Sequence, residues 1–483
     1  MPLSKRYKII DFWKQHEQQL FYVVGFCSLA IALTGIYIEK SWLFILPLAA
    51  LVMVFSFIRL RALFYVMLMV LPISIETAIG SYGTDLPSEP LVLLLSFCTV
   101  FYIAKQPSIL THQKFKHTII FLLGSLFLWS VISTIYSSNV FLSIKYVLAK
   151  SWYLLGFFVF PLLILNTTKK IISMFWCLFI PTFLSVLYIL IAHAFHGFSF
   201  DSITNVVHPI YRNHVNYAVF ITMLLPFIFW AKTQYPKNSI AYVVLKYAIV
   251  IFLIAIYFSY TRGAWLAVVA MFCYWLVLKF NSTKYIIAFG IIGAIFFTTY
   301  ILQDNRYLKY APNYDTTIYH GDLSEHLTST FEMEDMSTVE RFYRWIAAVH
   351  LFKTQPLVGV GPNNFVAEYK KHTVTAYETY ISENEERSTV HNYFLLLLTE
   401  QGLPAMLLFL ALIVAVLFTA QRLYNQTSAD KEKLIIAITL CLITFLFNNT
   451  LSDLVEANKV GSLFYICLAL LINVEMDFNE QQK

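Results

Sequence analysis

Glu340–Phe365 reads ERFYRWIAAVHLFKTQPLVGVGPNNF, and further on His391–Ala405 reads HNYFLLLLTEQGLPA. The first stretch is amphipathic and closes on proline and glycine. The second turns within a few residues into an apolar run. Charge set directly beside such a run marks a membrane boundary, where water and a lipid headgroup both reach. The segment from about Asp304 to Val390 is the one long polar run, and most of the remaining chain is apolar and of helical length. The fold class that follows is all-α: a polytopic integral membrane protein with one long extracytoplasmic helical loop.

Composition agrees. Hydrophobic residues make up 59% of the 483, charged residues 13% and aromatics 17%, which excludes an ordinary soluble domain. The net charge of +6 is no nucleic-acid footprint, because most Lys and Arg lie in short loops between apolar runs, where they orient spans. Membrane lipids are partners and nucleic acid is not. The six cysteines all fall in apolar runs, and no Cys/His spacing fits a metal. The acidic run Phe331–Met336 reads as a solvated loop rather than a cation site.

A helix needs roughly 17–25 apolar residues to cross the hydrocarbon. Such runs fall near 20–38, 41–58, 62–79, 90–104, 119–136, 144–166, 171–193, 215–231, 240–259, 263–279, 285–303, 404–421, 433–450 and 457–474. The expected count is about fourteen, within a range of about twelve to fourteen. The run from 90 is short, and the run from 144 carries Lys145 and Lys150 near its outer end. An alternating path from a cytoplasmic N-terminus puts Arg59, Arg61, Lys105, Lys114, Lys116, Lys169, Lys170, Lys232, Lys237, Lys279, Lys284, Arg422, Lys431 and Lys433 on the inner side. The short outer loops, such as NNTLSDLVE, are neutral or acidic, as the positive-inside rule requires. Both termini come out cytoplasmic and 304–390 comes out on the far side. The opening MPLSKRYKIIDFWKQHEQQL reads as a retained signal anchor, its residues 6–19 either a short amphipathic surface helix or a charged flank.

Against the charge rule, Arg212, Arg262, Arg341 and Arg344 stand on the outer side. Ser337–Phe352 reads as an amphipathic helix with Phe342, Trp345, Ile346, Val349 and Phe352 on one face and Arg341 and Arg344 beside it. Gln355-Pro356 ends that helix. Gly359 and Gly361 then supply a turn where backbone can approach a ligand.

In their order and spacing, SYTRGAWLA (Ser259–Ala267), Arg341-x-x-x-Trp345 with PLVGVGPNNF, and HNYFLLLLTEQGLPA resemble the O-antigen ligase and polysaccharide polymerase superfamily of bacterial envelope enzymes. The resemblance covers roughly 205–420, and the earlier half matches only by hydropathy. It implies a metal-independent, inverting, GT-C-like glycosyltransferase of the bacterial inner membrane that needs no cofactor. The donor would be a glycan on polyprenyl (undecaprenyl) pyrophosphate; the acceptor would be a sugar hydroxyl, on lipid A-core for a ligase or on a growing glycan for a polymerase. It also implies a division into N-terminal transmembrane helices (1–204), a ligase-related catalytic region (205–420, including the loop 304–390) and C-terminal helices with a tail (421–483).

Carried onto this sequence, the catalytic candidates are Arg262, Arg341 and His391. The substrate-binding candidates are Arg344, Arg212, His214, Asn216, Gly359, Gly361 and Asn392. Residue chemistry supports the choice. A planar, permanently charged guanidinium suits pyrophosphate oxygens, and an imidazole near neutrality can take a proton from an incoming hydroxyl. Ser388 or Thr389 is expected to cap the helix that His391 opens, with the dipole disfavouring the imidazolium. Plainer readings stay open: Arg262 as a snorkelling anchor, Arg341 paired with Glu340, His391 bonded to backbone, and Glu400 serving the helix break. A lipid-linked oligosaccharide transporter and a noncatalytic scaffold are the competing classes.

Overall fold

The computed structural model describes residues 59–79, 82–111, 113–303, 336–374 and 388–481. Two compact units divide the chain, 1–64 and 65–483. The expected spans 20–38 and 41–58, the N-terminal surface helix and the acidic run 331–335 all lie outside the described residues.

Among the described residues nine helices are long and apolar enough to cross a membrane. They are α2 (Ser88–Lys105), α3 (Thr118–Ile135), α4 (Val140–Ile164), α5 (Thr168–Phe195), α7 (His214–Lys232), α8 (Ile240–Tyr257), α9 (Arg262–Lys279), α12 (Tyr393–Gln426) and α14 (from Asn458). Helix α1 (Leu60–Val70) precedes them, α6 (Phe200–Val207) joins α5 to α7, and α10 (Thr283–Leu302), α11 (Met336–Thr354) and α13 (Ala429–Asn448) complete the set. The chain is a multi-pass helical membrane protein. Helix α7 runs through its centre, buried from Tyr217 to Ile228, and packs against α8, α9 and α13.

Two expected spans change shape. The run 62–79 is a helix only to Val70; a short turn with Pro72 follows, then an antiparallel hairpin pairing Ile75–Ile79 with Tyr82–Leu86. Pro72 lacks the amide a helix would need, and Glu76 and Thr77 interrupt the apolar run with polar residues. The run from 404 begins earlier, at Tyr393, in one long helix broken at Gly402. Its opening YFLLLL is apolar, but Glu400, Gln401, Gly402 and Pro404 interrupt the run, and so hydropathy starts the span only after the break.

Successive helices alternate in direction. The starts of α4, α7, α9, α12 and α14 therefore lie at the same end of the bundle as the finishes of α3, α8 and α13. At the opposite end His117 and Arg422 both meet Glu475 (2.9 and 2.5 Å), and Lys431 meets Asp477 at 2.5 Å. The Arg422 and Lys431 charges there are paired with carboxylates.

Candidate active site at one end of the bundle

Helix α11 brings the loop cations in. Its buried face is Val339, Tyr343, Ala347 and Leu351 with Ile346 and Ala348, while Phe342 and Trp345 pack on each other at its edge. The expected face was centred on Phe342 and Trp345. The helix is turned from that because Arg344 enters the buried side, where its Nη2 donates to the Glu340 carboxylate at 3.1 Å, both residues no more than 5% exposed. The Trp345 indole N–H donates to the Val390 carbonyl at 3.0 Å, which ties the helix to the residue before His391.

His391 does not open the helix. It sits at φ +53°, in the left-handed region, where a non-glycine residue is held at a cost. The cap is Asn392, whose Oδ1 accepts from the Leu395 amide at 3.0 Å. The expected caps are therefore corrected: an Asn at the turn fills the position, Thr389 instead donates to the Asp453 carboxylate, and His391 precedes the first helical turn. Burial, then the nearby Arg341 and Arg344 guanidiniums, push the His391 pKa down to about 3. The helix dipole is not needed to keep the ring neutral.

The loop after α13 holds this junction. The Tyr393 amide donates to Asn449 O at 2.9 Å, and Asn392 Nδ2 donates to Thr450 O at 3.0 Å. The same loop meets α9 next to Arg262: Asn448 Oδ1 and Leu451 lie against Gly263. Arg262 is the first residue of α9, after the cap position Thr261. A cation at a helix N-terminus opposes the helix dipole at a cost of about 0.3–1 kcal/mol, so helix stability does not account for it. Thr261 Oγ1 donates to His214 O at 3.4 Å, which connects α9 to the start of α7. There Asn213 caps the helix through the Asn216 amide, and the His214 ring bonds Thr204 at 2.8 Å. The Asn216 Oδ1 is buried without a protein partner among the described residues. Arg212 is exposed and acts electrostatically on Asp453, whose carboxyl pKa desolvation raises. Around one loop, then, stand Arg212, Arg262 and His391, with Arg341 and Arg344 close to the imidazole.

Gly359 and Gly361 belong elsewhere, and their reading as ligand-facing backbone is corrected. A Cβ on Gly359 would lie 2.3 Å from the Glu400 carbonyl carbon, and one on Gly361 2.2 Å from Ser137 Oγ. A Cβ on Gly402 would lie 2.1 Å from Leu357 O. The turn is a plug. Its amides at Val360 and Gly361 bond Thr399 O and Glu400 O, the Leu403 amide bonds Pro356 O, and the Glu400 carboxylate accepts from the amides of Asn363 and Phe365 at 2.8 and 2.9 Å. Ser133 and Ser143 donate to the carbonyls of Val358 and Pro362. Glu400 serves the helix break, as its plainer reading had it.

Asp453 and Glu456 were not singled out as site residues from the sequence; hydropathy had counted their loop only as acidic and outward. Among the described residues no three His, Cys, Asp or Glu side chains are grouped to hold a metal ion.

The molecule is thus a multi-pass helical membrane protein with cations and a neutral imidazole gathered at one end of its bundle. Residues 247–410, about a third of the chain, match the family model described as O-antigen ligase. The resemblance carried by its motifs holds. The match includes Arg262, Arg341, Arg344, His391 and Asn392, and stops short of Arg212, His214, Asn216 and the loop after α13. A comparison with curated proteins found no match.

Proposed function

We propose that the chain is a membrane glycosyltransferase that moves a glycan from polyprenyl pyrophosphate to an acceptor sugar hydroxyl, as an O-antigen ligase acting on lipid A-core. The observation that carries this is a half-buried imidazole in the field of two guanidiniums, next to the loop that also meets the helix of Arg262. His391 accepts the proton of the acceptor hydroxyl. The oxygen attacks the anomeric carbon from the side opposite the diphosphate, the bond from that carbon to the diphosphate oxygen breaks, and the sugar is inverted. The electron pair leaves with the polyprenyl diphosphate, whose charge Arg262 and Arg341 meet. Arg344, Arg212, His214, Asn216 and Asn392 border the substrates.

An imidazole with pKa about 3 is a weak base, and the substrate itself corrects this. A bound diphosphate offsets the guanidiniums that depress the ring, raising its basicity only when the donor is present. From Lys105 onward, the basic residues named above as inner lie at the opposite end of the bundle, which supports an extracytoplasmic site in a bacterial cytoplasmic membrane with both termini inside. The helical architecture is compatible with a GT-C-like, metal-independent enzyme.

The test is purified protein in detergent with a lipid-linked oligosaccharide and an acceptor glycan. Release of polyprenyl pyrophosphate coupled to a new glycosidic bond is expected; translocation in vesicles without bond formation would instead make it a transporter. Electrophoresis of lipopolysaccharide from a deletion strain separates the acceptors. Core without chains is the ligase outcome, and core bearing a single repeat is the polymerase outcome.

A further inference from the structure

We propose that the ion pair between buried Lys150 and partly exposed Glu456 is a positioning device for the His391 junction, supplied by a lysine outside the matched family segment. The inference rests on the reading of His391 as the base. Lys150 lies ten residues into α4, roughly 15 Å along the helix at 1.5 Å per residue. It is 9% exposed, and its Nζ donates to Glu456 Oε1 at 2.8 Å. Tyr146 OH donates to the same oxygen at 3.0 Å, and the ammonium also faces the rings of Tyr146 and Tyr465 at 5.5 and 5.6 Å. Burying the ammonium is expensive, and its carboxylate partner is 33% exposed, which leaves the pair weak as a stabiliser. Packing alone gives no reason for this one.

What the pair holds gives the reason. Glu456 ends the short turn Leu454–Glu456 at the close of the loop after α13. The loop's earlier residues carry the junction: Asn449 O takes the Tyr393 amide, Thr450 O takes Asn392, Asp453 takes Thr389, and Asn448 lies against Gly263. Asn449 Oδ1 reaches across the loop to the Val455 amide at 3.3 Å, so its two ends move together. Lys150 therefore fixes, through Glu456, the height of the loop on which His391 and the start of α9 are seated. Lys459 is a useful contrast: it too is largely buried, but its ammonium bonds the carbonyls of Pro72, Ser74 and Ile210, none of them at the junction.

The test compares the full chain in detergent as wild type, Lys150→Met, Lys150→Arg, the double Lys150→Met/Glu456→Met, and His391→Ala, reading thermal unfolding, kcat and KM for the lipid-linked donor. Lys150→Met is expected to lower kcat on the order of 100-fold, the loss that a displacement near 1 Å produces, with KM little changed. Lys150→Arg restores kcat. The double variant regains the unfolding temperature but stays slow, since no charge draws the loop down. Recovery of kcat together with stability in the double variant overturns the proposal, as does full kcat in Lys150→Met beside an inactive His391→Ala. Full activity in His391→Ala removes the underlying reading instead.

Discussion

The glycine turn at 356–365 and the junction at 389–393 are equally prominent as motifs, and they do opposite work. In the turn nearly every polar group finds protein, amides on carbonyls, the Glu400 carboxylate on two amides, serine hydroxyls on the Val358 and Pro362 oxygens, with Asn364 Oδ1 the exception among the described residues. At the junction Thr389 meets the Asp453 carboxylate and Arg344 meets Glu340, yet Arg341 and Arg344 both act on a ring held in an unfavourable backbone conformation. A satisfied network rigidifies, whereas strain and like charge are kept where a ligand is to relieve them. Motif resemblance cannot separate the two. Surroundings can, and substitutions at each region should fail in different ways.

The largest effect is expected at the plug. Gly402 has φ +76° and ψ −178°, a conformation open almost only to glycine, and a Cβ there would overlap Leu357 O. Gly402→Ala should cost more than about 4 kcal/mol and abolish folded protein, seen as loss of the monodisperse peak in detergent chromatography. Gly359→Ala should behave alike. Well-folded variants with altered donor KM would instead return these glycines to the substrate site.

At the junction the fold should survive and the chemistry should not. His391→Ala is expected to lower kcat by about 10²–10⁴-fold, the usual contribution of a positioned base, with an unchanged unfolding temperature. Arg341→Gln follows at roughly 3 kcal/mol of transition-state stabilisation, read as kcat in the same assay. Arg344→Gln makes a useful contrast, because it strands the buried Glu340 carboxylate and should lower stability as well as rate.

Much of this was legible in the sequence, for physical reasons that also mark where legibility ended. Apolar length and basic loops gave most described spans within a few residues, because hydrocarbon thickness sets the one and insertion the other. The pairing of Ile75–Ile79 with Tyr82–Leu86 was missed because Ile75–Ile79 is apolar enough to extend a span and carries no clear alternation. His391 and its arginines were visible as charge beside a span. The cap at Asn392 was not, since Ser388, Thr389 and Asn392 are all competent acceptors and only the bond from Leu395 chooses between them. Asp453, Glu456 and Lys150 escaped because their partners lie more than 60 residues away in sequence.

The smallest expected effect is also the sharpest measure of the difference between the regions. Burial and two guanidiniums hold the His391 pKa near about 3, below the ordinary value of 6.5. The ring thus stays neutral as pH falls through the ordinary histidine range, and its contribution to stability, full above about 6.5, is lost only as pH drops toward the folded value. Two consequences follow for rate. In kcat/KM, which reports the free enzyme, the acid limb due to His391 should lie below that in kcat, which reports the donor complex, because a bound diphosphate offsets the cations and raises the ring's pKa. In Arg341→Gln one depressing charge is gone while burial remains, so the kcat/KM limb should move upward without reaching the ordinary value. Glu400→Gln, in the plug, should leave both limbs where they are in whatever fraction folds. pH–rate profiles of the three proteins decide the matter: a limb that moves with Glu400 and ignores Arg341 would mean that the titrating group belongs to the plug after all.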